Sequence, residues 1–371
     1  MAEQIKIGFV DYYMSEWHAN NYPAWINEAD KDFKIAYAWA EEDISPRDGV
    51  TTAQWCEQFG VEQCASIEEL CERSDVILVL APSNPEKHLP YAKAVLPYGK
   101  PTYIDKTFAP NAREAEEIFA IAKQYGTPFF STSALRFAEE LDAWEECKAM
   151  ITTGSGSSLE EYIIHQIEMV VKKMGVGARA VRAVAFGGSY SFIVRFEGEK
   201  EAMMSFLPGA SFTVCMTNGK KSHCAKVTSP FFVRLIADIL RFYKDGKVSF
   251  DVAETLAAIK LRDAVLRAVN ESGAKILFVC FGAPAQEKWI DENKAKLTGV
   301  RLLMGLGGSL DVYAGAVRRA PAFLIRARLE WLYRLLQDPK RLGRMMKIPK
   351  YIAGAYKERI LTIKKINIIG K

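Results

Sequence analysis

Glu161 and His165 stand four residues apart in Ser158–Met174, a stretch whose apolar residues recur at helical spacing. That spacing puts a carboxylate and an imidazole on one helix face. The acid can orient the ring, and the ring can act as a general base near neutral pH. Lys106 follows the short apolar run Thr102–Ile104, so it sits at a strand's carboxyl end, where parallel sheets bind ligands. An ammonium there can hold and polarise an oxygen. Read singly, Lys106 also fits a surface lysine and His165 a hydrogen-bonded helix histidine. The chemistry requires that they meet.

Bringing them together takes a layered scaffold. Over the first ~125 residues the strand-like runs are Ile5–Val10, Phe33–Ala40, Asp75–Ala81, Thr102–Ile104 and Pro128–Thr132. They alternate with helical segments such as Ser66–Arg73, opened by a capping box, and Asn111–Tyr125. The near-continuous apolar run Asp75–Ala81 suits a strand buried on both faces. The pattern predicts an α/β fold with a Rossmann-like, doubly wound parallel sheet over 1–125. The register changes over 126–273. Glu139–Thr152 and Ser158–Met174 read as helices, and four or five strands with hairpin-length links follow, over Ala180–Phe186, Tyr190–Glu197, Glu201–Leu207, Phe212–Thr217 and His223–Thr228. Helices Phe231–Lys244 and Asp251–Asn270 close this block, an α+β substrate and dimerisation domain on a mainly antiparallel sheet. A third block, 274–349, opens with strand Lys275–Phe281, helix Pro284–Leu297 and strand Val300–Gly305, a partial α/β module that leads into a basic helical tail at 350–371.

The 371 residues are 49% hydrophobic and 25% charged, which excludes a disordered or collagen-like chain and suits two or three domains. No run approaches the ~18 apolar residues of a membrane-spanning helix. The start of the chain lacks the features of a secretion signal, so a cytoplasmic location is expected. Seven cysteines without a CxxC pair read as reduced, buried or half-buried thiols, and no metal-ligand set is assigned. The net charge of +4 hides an asymmetry. Val317–Lys371 carries 15 Lys and Arg against Glu330, Asp338 and Glu358, a net +12 that leaves −8 on the other 316 residues. Trp331, Tyr333, Met345 and Tyr351 interleave with Arg334, Arg341, Arg344 and Lys350. This composition suits an interfacial segment on anionic lipid at the inner membrane face, or a solvated helical face packed on its own domain. Nucleic acid is not expected, since no recognition motif accompanies the charge.

Several segments resemble the Gfo/Idh/MocA oxidoreductases over about residues 4–273. Ser74-Asp75-Val76 through Ala81-Pro82-Ser83, with His88 opening the next helix, is one. Gly99–Thr107 stands where that family has "GKHVxxEKP". Leu135-Arg136-Phe137 and Glu161–Glu168, in place of the "DxxxH" helix, complete the set. The resemblance implies hydride transfer between a sugar or cyclitol carbon and NAD or NADP, with Lys106, His165 and Glu161 catalytic. It further implies a cofactor groove drawn from Gly8, Asp11, Glu41, Ala81, Pro82, Ser83, His88, Asp105 and Arg136, and a homo-oligomer. One departure matters. A dinucleotide fingerprint places glycines so that backbone can approach the pyrophosphate at a helix N-terminus. Here Asp11, Tyr13 and Glu16 fill the three glycine slots, no proline follows Lys106, and Glu161 replaces the usual aspartate. Dinucleotide binding and a degenerate domain that keeps its fold for sugar binding are both open.

Gly282-Ala283-Pro284-Ala285-Gln286-Glu287-Lys288-Trp289 resembles the "GAPKQExW" motif of the WecG/TagA/CpsF glycosyltransferases. The likeness continues through Gly305–Asp311, Arg318–Pro321, Glu330–Leu336 and Asp338–Arg341. It implies binding of the nucleotide diphosphate of a UDP-sugar, with Gly282, Pro284, Gln286, Glu287, Gly307, Gly308 and Asp311 as the site and a lipid-linked sugar as acceptor. The family's amino-terminal half, with its proposed base and acceptor cleft, has no counterpart here. The segment therefore reads as a truncated module, either a membrane-associated transferase part or its inactive remnant.

Overall fold

The structure is a computed structural model that describes residues 4–143, 147–271, 276–280, 285–294, 297, 300–306, 320, 321, 324 and 326. The chain divides into two compact units, Met1–Leu277 with Asp291–Met304, and Phe278–Ile290 with Gly305–Lys371.

In the first unit, β1 (Ile5–Asp11), α1 (Trp17–Ala29), β2 (Phe33–Ala40), α2 (Thr52–Phe59), β3 (Glu62–Gln63), α3 (Ile67–Arg73), β4 (Val76–Val79), α4 (His88–Val95), β5 (Thr102–Ile104), α5 (Ala112–Tyr125) and β6 (Phe129–Phe130) alternate along the chain. The strands form one parallel sheet in the order β3-β2-β1-β4-β5-β6. This is the doubly wound arrangement expected from the sequence. Period-2 alternation sorts the core. Ile7 and Phe9 of β1 pack with Tyr22 of α1 and Trp55 of α2, while Val10 packs with Leu70 of α3, Tyr91 of α4 and Ile118 of α5. Gly8 is a packing glycine, because a Cβ there would stand 2.3 Å from Ser74 Oγ and 2.5 Å from Leu70 Cδ2.

The second sheet contains β7 (Ala149–Gly154), β8 (Ala178–Phe186), β9 (Ser189–Phe196), β10 (Glu201–Phe206), β11 (Thr213–Thr217) and β12 (Ser222–Lys226), in the order β12-β11-β7-β10-β9-β8. Its pairs are antiparallel apart from β7 with β10. Helices α6 (Leu159–Met174), α7 (Phe231–Asp245) and α8 (Ala253–Glu271) complete the unit. Leu235, Ile236, Ile239 and Phe242 of α7 join the core formed with α1 and α2.

The structure departs from the sequence expectation at β7 and at two cysteines. Glu139–Thr152 is not a helix: after a short 3-10 turn at Glu139–Leu141, the chain becomes β7, an interior strand of the second sheet. Its Ile151-Thr152-Thr153 run carries the β-branched side chains that suit a pleated surface. Nor are all seven cysteines free thiols. Cys215 and Cys224 are disulfide-bonded between directly paired positions of β11 and β12, whereas Cys56, Cys64, Cys71 and Cys147 are buried thiols and Cys280 is half-buried. Beyond α8 come β13 (Ile276–Val279), α9 (Ala285–Asn293) and β14 (Leu302–Gly305), the two strands pairing as a separate sheet. Among the described residues no helix is long and apolar enough to cross a membrane.

Candidate functional site

The parallel sheet brings its carboxyl ends together as a row of chemically active residues. Asp11 ends β1, Ala81–Ser83 follow β4, Asp105–Thr107 follow β5, and Ser131–Ser133 follow β6. Lys106 is only 9% exposed, and its Nζ donates to the Pro82 carbonyl at 3.1 Å. His165, on α6, lies with its Nδ1 2.6 Å from Ser133 Oγ. Burial drives the His165 imidazole well below its ordinary pKa, and the positive charges of Lys106 and His18 push it the same way. The Lys106 charge thus acts directly on His165, and the ring is neutral at physiological pH. If Nδ1–H donates to Ser133 Oγ, the Nε2 lone pair is left as the basic site.

Glu161 does not take the part its spacing suggested. Its Oε1 accepts from Ser83 Oγ at 2.6 Å and its Oε2 from Ser157 Oγ at 2.8 Å, so the group that meets the imidazole is Ser133. Sharing a helix face specifies direction, and the closer partner came from the end of a strand.

The turn after β1 is packed with its own side chains. Met14, Ser15 and Glu16 are 1%, 5% and 3% exposed. Ser15 Oγ donates to Asp48 Oδ2 at 2.8 Å, and its carbonyl accepts from Ser45 Oγ at 2.8 Å. Glu16 is the N-cap of α1. Its Oε1 accepts from the Ala19 amide at 2.5 Å, and its Oε2 lies 3.2 Å from His18 Nδ1. Burial opposes the charge on Glu16, but the His18 ring and the backbone amides of His18 and Ala19 outweigh it and hold the carboxyl below its ordinary pKa. On its other side, His18 Nε2 lies 3.7 Å from Asp105 Oδ2. Asp11 Oδ1 accepts from the amides of Tyr12 at 2.6 Å and Ala81 at 3.0 Å. Burial, followed by the carboxylates of Glu16 and Asp105, nevertheless raises the Asp11 carboxyl well above the usual range. Asp11 Oδ2, Asp105 Oδ2 and Tyr22 Oη are buried without a hydrogen-bond partner in this region.

The other residues expected in a cofactor groove are mostly engaged elsewhere. Gly8 packs against α3. Glu41 is held by Lys87 Nζ and by Tyr91 Oη at 2.8 Å. The ring nitrogens of fully buried His88 face the carbonyls of Phe108 at 3.1 Å and Leu80 at 2.7 Å, tying the loops after β4 and β5 together, and burial lowers its pKa. Arg136 pairs with Glu168 and Glu254 and lies 3.9 Å over the Phe250 ring, so it fastens α6 and α8. Asp105 accepts from Tyr103 Oη at 3.2 Å. The residues that do meet at the strand ends include four to which the sequence assigns no role: His18, Ser133, and the Thr132–Glu168 pair at 2.9 Å. His18 was visible two positions past the third glycine slot. Ser133 carried no local signal.

A dinucleotide pyrophosphate does not fit this arrangement. The amides of Tyr12 and Ala19, which such a turn would aim at phosphate, are taken by the carboxylates of Asp11 and Glu16.

In the second unit, Gln286 is buried on α9, with Nε2 2.7 Å from Glu287 Oε1. A Cβ on Gly305 would stand 2.7 Å from the Gln286 amide nitrogen, so glycine there is what admits this side chain. Gly282, Pro284, Gly307, Gly308, Asp311 and most of the basic tail lie outside the described residues.

Comparison with known proteins finds two separate family matches. Residues 20–133 match the model of the oxidoreductase family with an NAD-binding Rossmann fold, and residues 241–365 match the glycosyl transferase WecG/TagA/CpsF family. The first match begins beyond the turn that Glu16 closes. An N-acetylglucosaminyldiphosphoundecaprenol N-acetyl-beta-D-mannosaminyltransferase of Bacillus subtilis is 43% identical over 97 residues, 26% of this chain and 38% of that protein. Its namesake from Bacillus spizizenii is 41% identical over 117 residues, 31% of this chain and 40% of that protein. The chain thus spans about two-fifths of the length of these curated relatives. Among solved structures, a probable dehydrogenase from Thermotoga maritima superposes with a TM-score of 0.61 at 12% identity, covering 72% of this chain and 97% of its own. A putative myo-inositol dehydrogenase from Sinorhizobium meliloti 1021 gives 0.60 at 13%, covering 72% and 98%. GenD2 from gentamicin A biosynthesis, solved with NAD, gives 0.59 at 13%, covering 72% and 95%. These likenesses establish the dehydrogenase fold. The chain therefore joins a segment that matches the oxidoreductase family to one that matches the WecG/TagA/CpsF glycosyl transferase family.

Proposed function

We propose that the amino-terminal unit handles a hydroxyl of a sugar or cyclitol, with Lys106 and His165 as its working pair, on the scaffold of a polyol oxidoreductase. The observation that carries this reading is the neutral, Ser133-anchored imidazole beside a buried ammonium at the sheet's carboxyl edge. Lys106, steadied by the Pro82 carbonyl, holds the substrate oxygen and stabilises negative charge developing on it. His165 Nε2 accepts the hydroxyl proton, and its charged form is disfavoured by Lys106, so the proton is readily given back. Glu161, fixed by Ser83 and Ser157, lines the approach from α6. NAD or NADP, implied by the family match, would supply the hydride acceptor. The closed turn, with its Tyr12 and Ala19 amides already occupied, does not fit the pyrophosphate of that cofactor.

The test is calorimetric titration of the full chain with hexoses, cyclitols and nucleotide sugars. Saturable binding that weakens about tenfold or more in Lys106→Met supports the reading. Binding indifferent to both Lys106→Met and His165→Asn would sink it.

A second reading concerns the transferase-family segment and rests on the 41–43% identity to the two Bacillus enzymes. Here it is proposed to recognise the uridine diphosphate of a UDP-sugar, with Gln286 reading the nucleoside edge. Titrating UDP against Trp289 fluorescence, with Gln286→Ala as control, decides it: a quench lost in the variant is expected, and no response to UDP removes the role.

A further inference from the structure

Groups that a Rossmann turn would offer to a dinucleotide meet partners from this chain instead. The Glu16 carboxylate caps α1 through the Ala19 amide at 2.5 Å. It is braced by His18, which is backed in turn by Asp105 at 3.7 Å. The Tyr12 amide is held by Asp11 at 2.6 Å. The acidic residue after β2, Glu41, is closed off by Lys87 and Tyr91. Met14 and Ser15 fill the space between, and Ser15 is tied to Asp48 and Ser45. A helix N-terminus favours one anion. Here that anion is already covalently present.

We infer that Glu16 stands in for a cofactor phosphate, so that the amino-terminal unit keeps the dehydrogenase scaffold but works without a dinucleotide. A bound pyrophosphate would have to expel a carboxylate that is anchored by an amide and an imidazole, and would then lie against the buried Asp11. The seat is also stable by construction, because the capping bond satisfies an amide that otherwise lacks an intrahelical partner. This inference concerns the cofactor half of the fold and does not rest on the polyol reading.

The experiment titrates the full-length chain with NADH and NADPH, followed by nicotinamide fluorescence, and with NAD and NADP by calorimetry. No saturable binding into the millimolar range is expected, and micromolar binding of any of the four overturns the inference. A second measurement tests the seat itself. Glu16→Ala is expected to lower the thermal midpoint by a few degrees, and an unchanged midpoint means that the carboxylate is not docked and also overturns it. Should Glu16→Ala fail to fold, Glu16→Gln keeps an acceptor oxygen without the charge. Because the Glu16 carboxyl is held below its ordinary pKa, its contribution is present at neutral pH and lost as pH falls through the carboxylate range. Wild type should therefore exceed Glu16→Gln at pH 7 and converge with it in acid, and parallel pH profiles overturn the assignment. A blank polyol titration with blank dinucleotide titrations removes the Lys106–His165 reading alone; dinucleotide binding removes this one alone.

Discussion

At the scale of single residues, the carboxyl edge is a crowd of acids and bases whose environments drive them apart. Asp11 is held well above its ordinary pKa, so the folded chain binds a proton that the unfolded chain releases. Its contribution to stability is therefore fully present below the unfolded carboxylate value and is lost as pH rises toward the folded one. Asp11→Asn keeps the acceptor for the Tyr12 and Ala81 amides without that penalty. It should raise Tm by roughly 2–4 °C at pH 8 and by little at pH 4; a drop at pH 8 in a thermal scan would contradict the assignment. His165 runs the other way. Its folded pKa is depressed, so the unfolded imidazole takes up a proton first and stability falls as pH drops below about 6.5. His165→Asn should flatten that acid-side loss, with buried His88, also depressed, keeping part of it. An unaltered slope between pH 7 and 5 would show that His165 is not buried neutral. The sequence made Lys106 and His165 legible because each sits at a position that fold geometry fixes, a strand end and a helix face. It hid Ser133 and misassigned Glu161, since hydrogen-bond partners drawn from separate strands follow no spacing rule.

At the scale of elements, most of the chain was readable wherever local chemistry and packing agree. β2 and β5 fall on Phe33–Ala40 and Thr102–Ile104 as expected, and Ser66 caps α3 by accepting from the Glu69 amide at 3.2 Å. The reciprocal bond of that capping box goes to Ala65 instead, whereas the Thr51–Gln54 pair forms a complete box at the start of α2. β7 is not legible locally because the charged run Glu139–Glu146 suits a helix, while its strand character depends on β10 and β11, which pair with it from some 50 to 70 residues later. Long-range pairing of this kind overrides local preference. Two substitutions test how the elements are locked. Gly8→Ala drives a methyl into Ser74 and Leu70 and should cost about 1–3 kcal/mol in denaturant unfolding, since backbone on both sides is fixed by the sheet. Arg262 of α8, nearly fully buried, donates to the Glu160 carbonyl at 3.1 and 2.9 Å and to the Pro110 carbonyl at 2.9 Å. Arg262→Met strips partners from both acceptors and should destabilise by roughly 2–4 kcal/mol. A loss below half a unit in either case would mean the packing described relaxes freely.

At the scale of the whole molecule, charge is the property that composition alone could assign to a place. The net +12 on Val317–Lys371, against −8 on everything before it, makes the chain strongly bipolar along its length. Anionic membrane surface attracts juxtamembrane basic residues by about 1 kcal/mol each, and apolar and aromatic residues between them add burial at the headgroup boundary. Two contributions with different salt dependence are therefore combined, and flotation can separate them. We propose that the full chain floats with vesicles containing phosphatidylserine, and that a chain ending at Ala316 does not. Because charges beyond a Debye length are screened, raising ionic strength from 0.05 to 0.5 M should release most of the bound full chain, leaving the fraction held by Trp331, Tyr333 and Tyr351. Neutral phosphatidylcholine vesicles should retain only that salt-resistant fraction. Equal flotation of both chains would assign the charge to a solvated face instead. The same samples, measured by light scattering, test the expected self-association: a monomer at every concentration would show that neither unit needs a second copy.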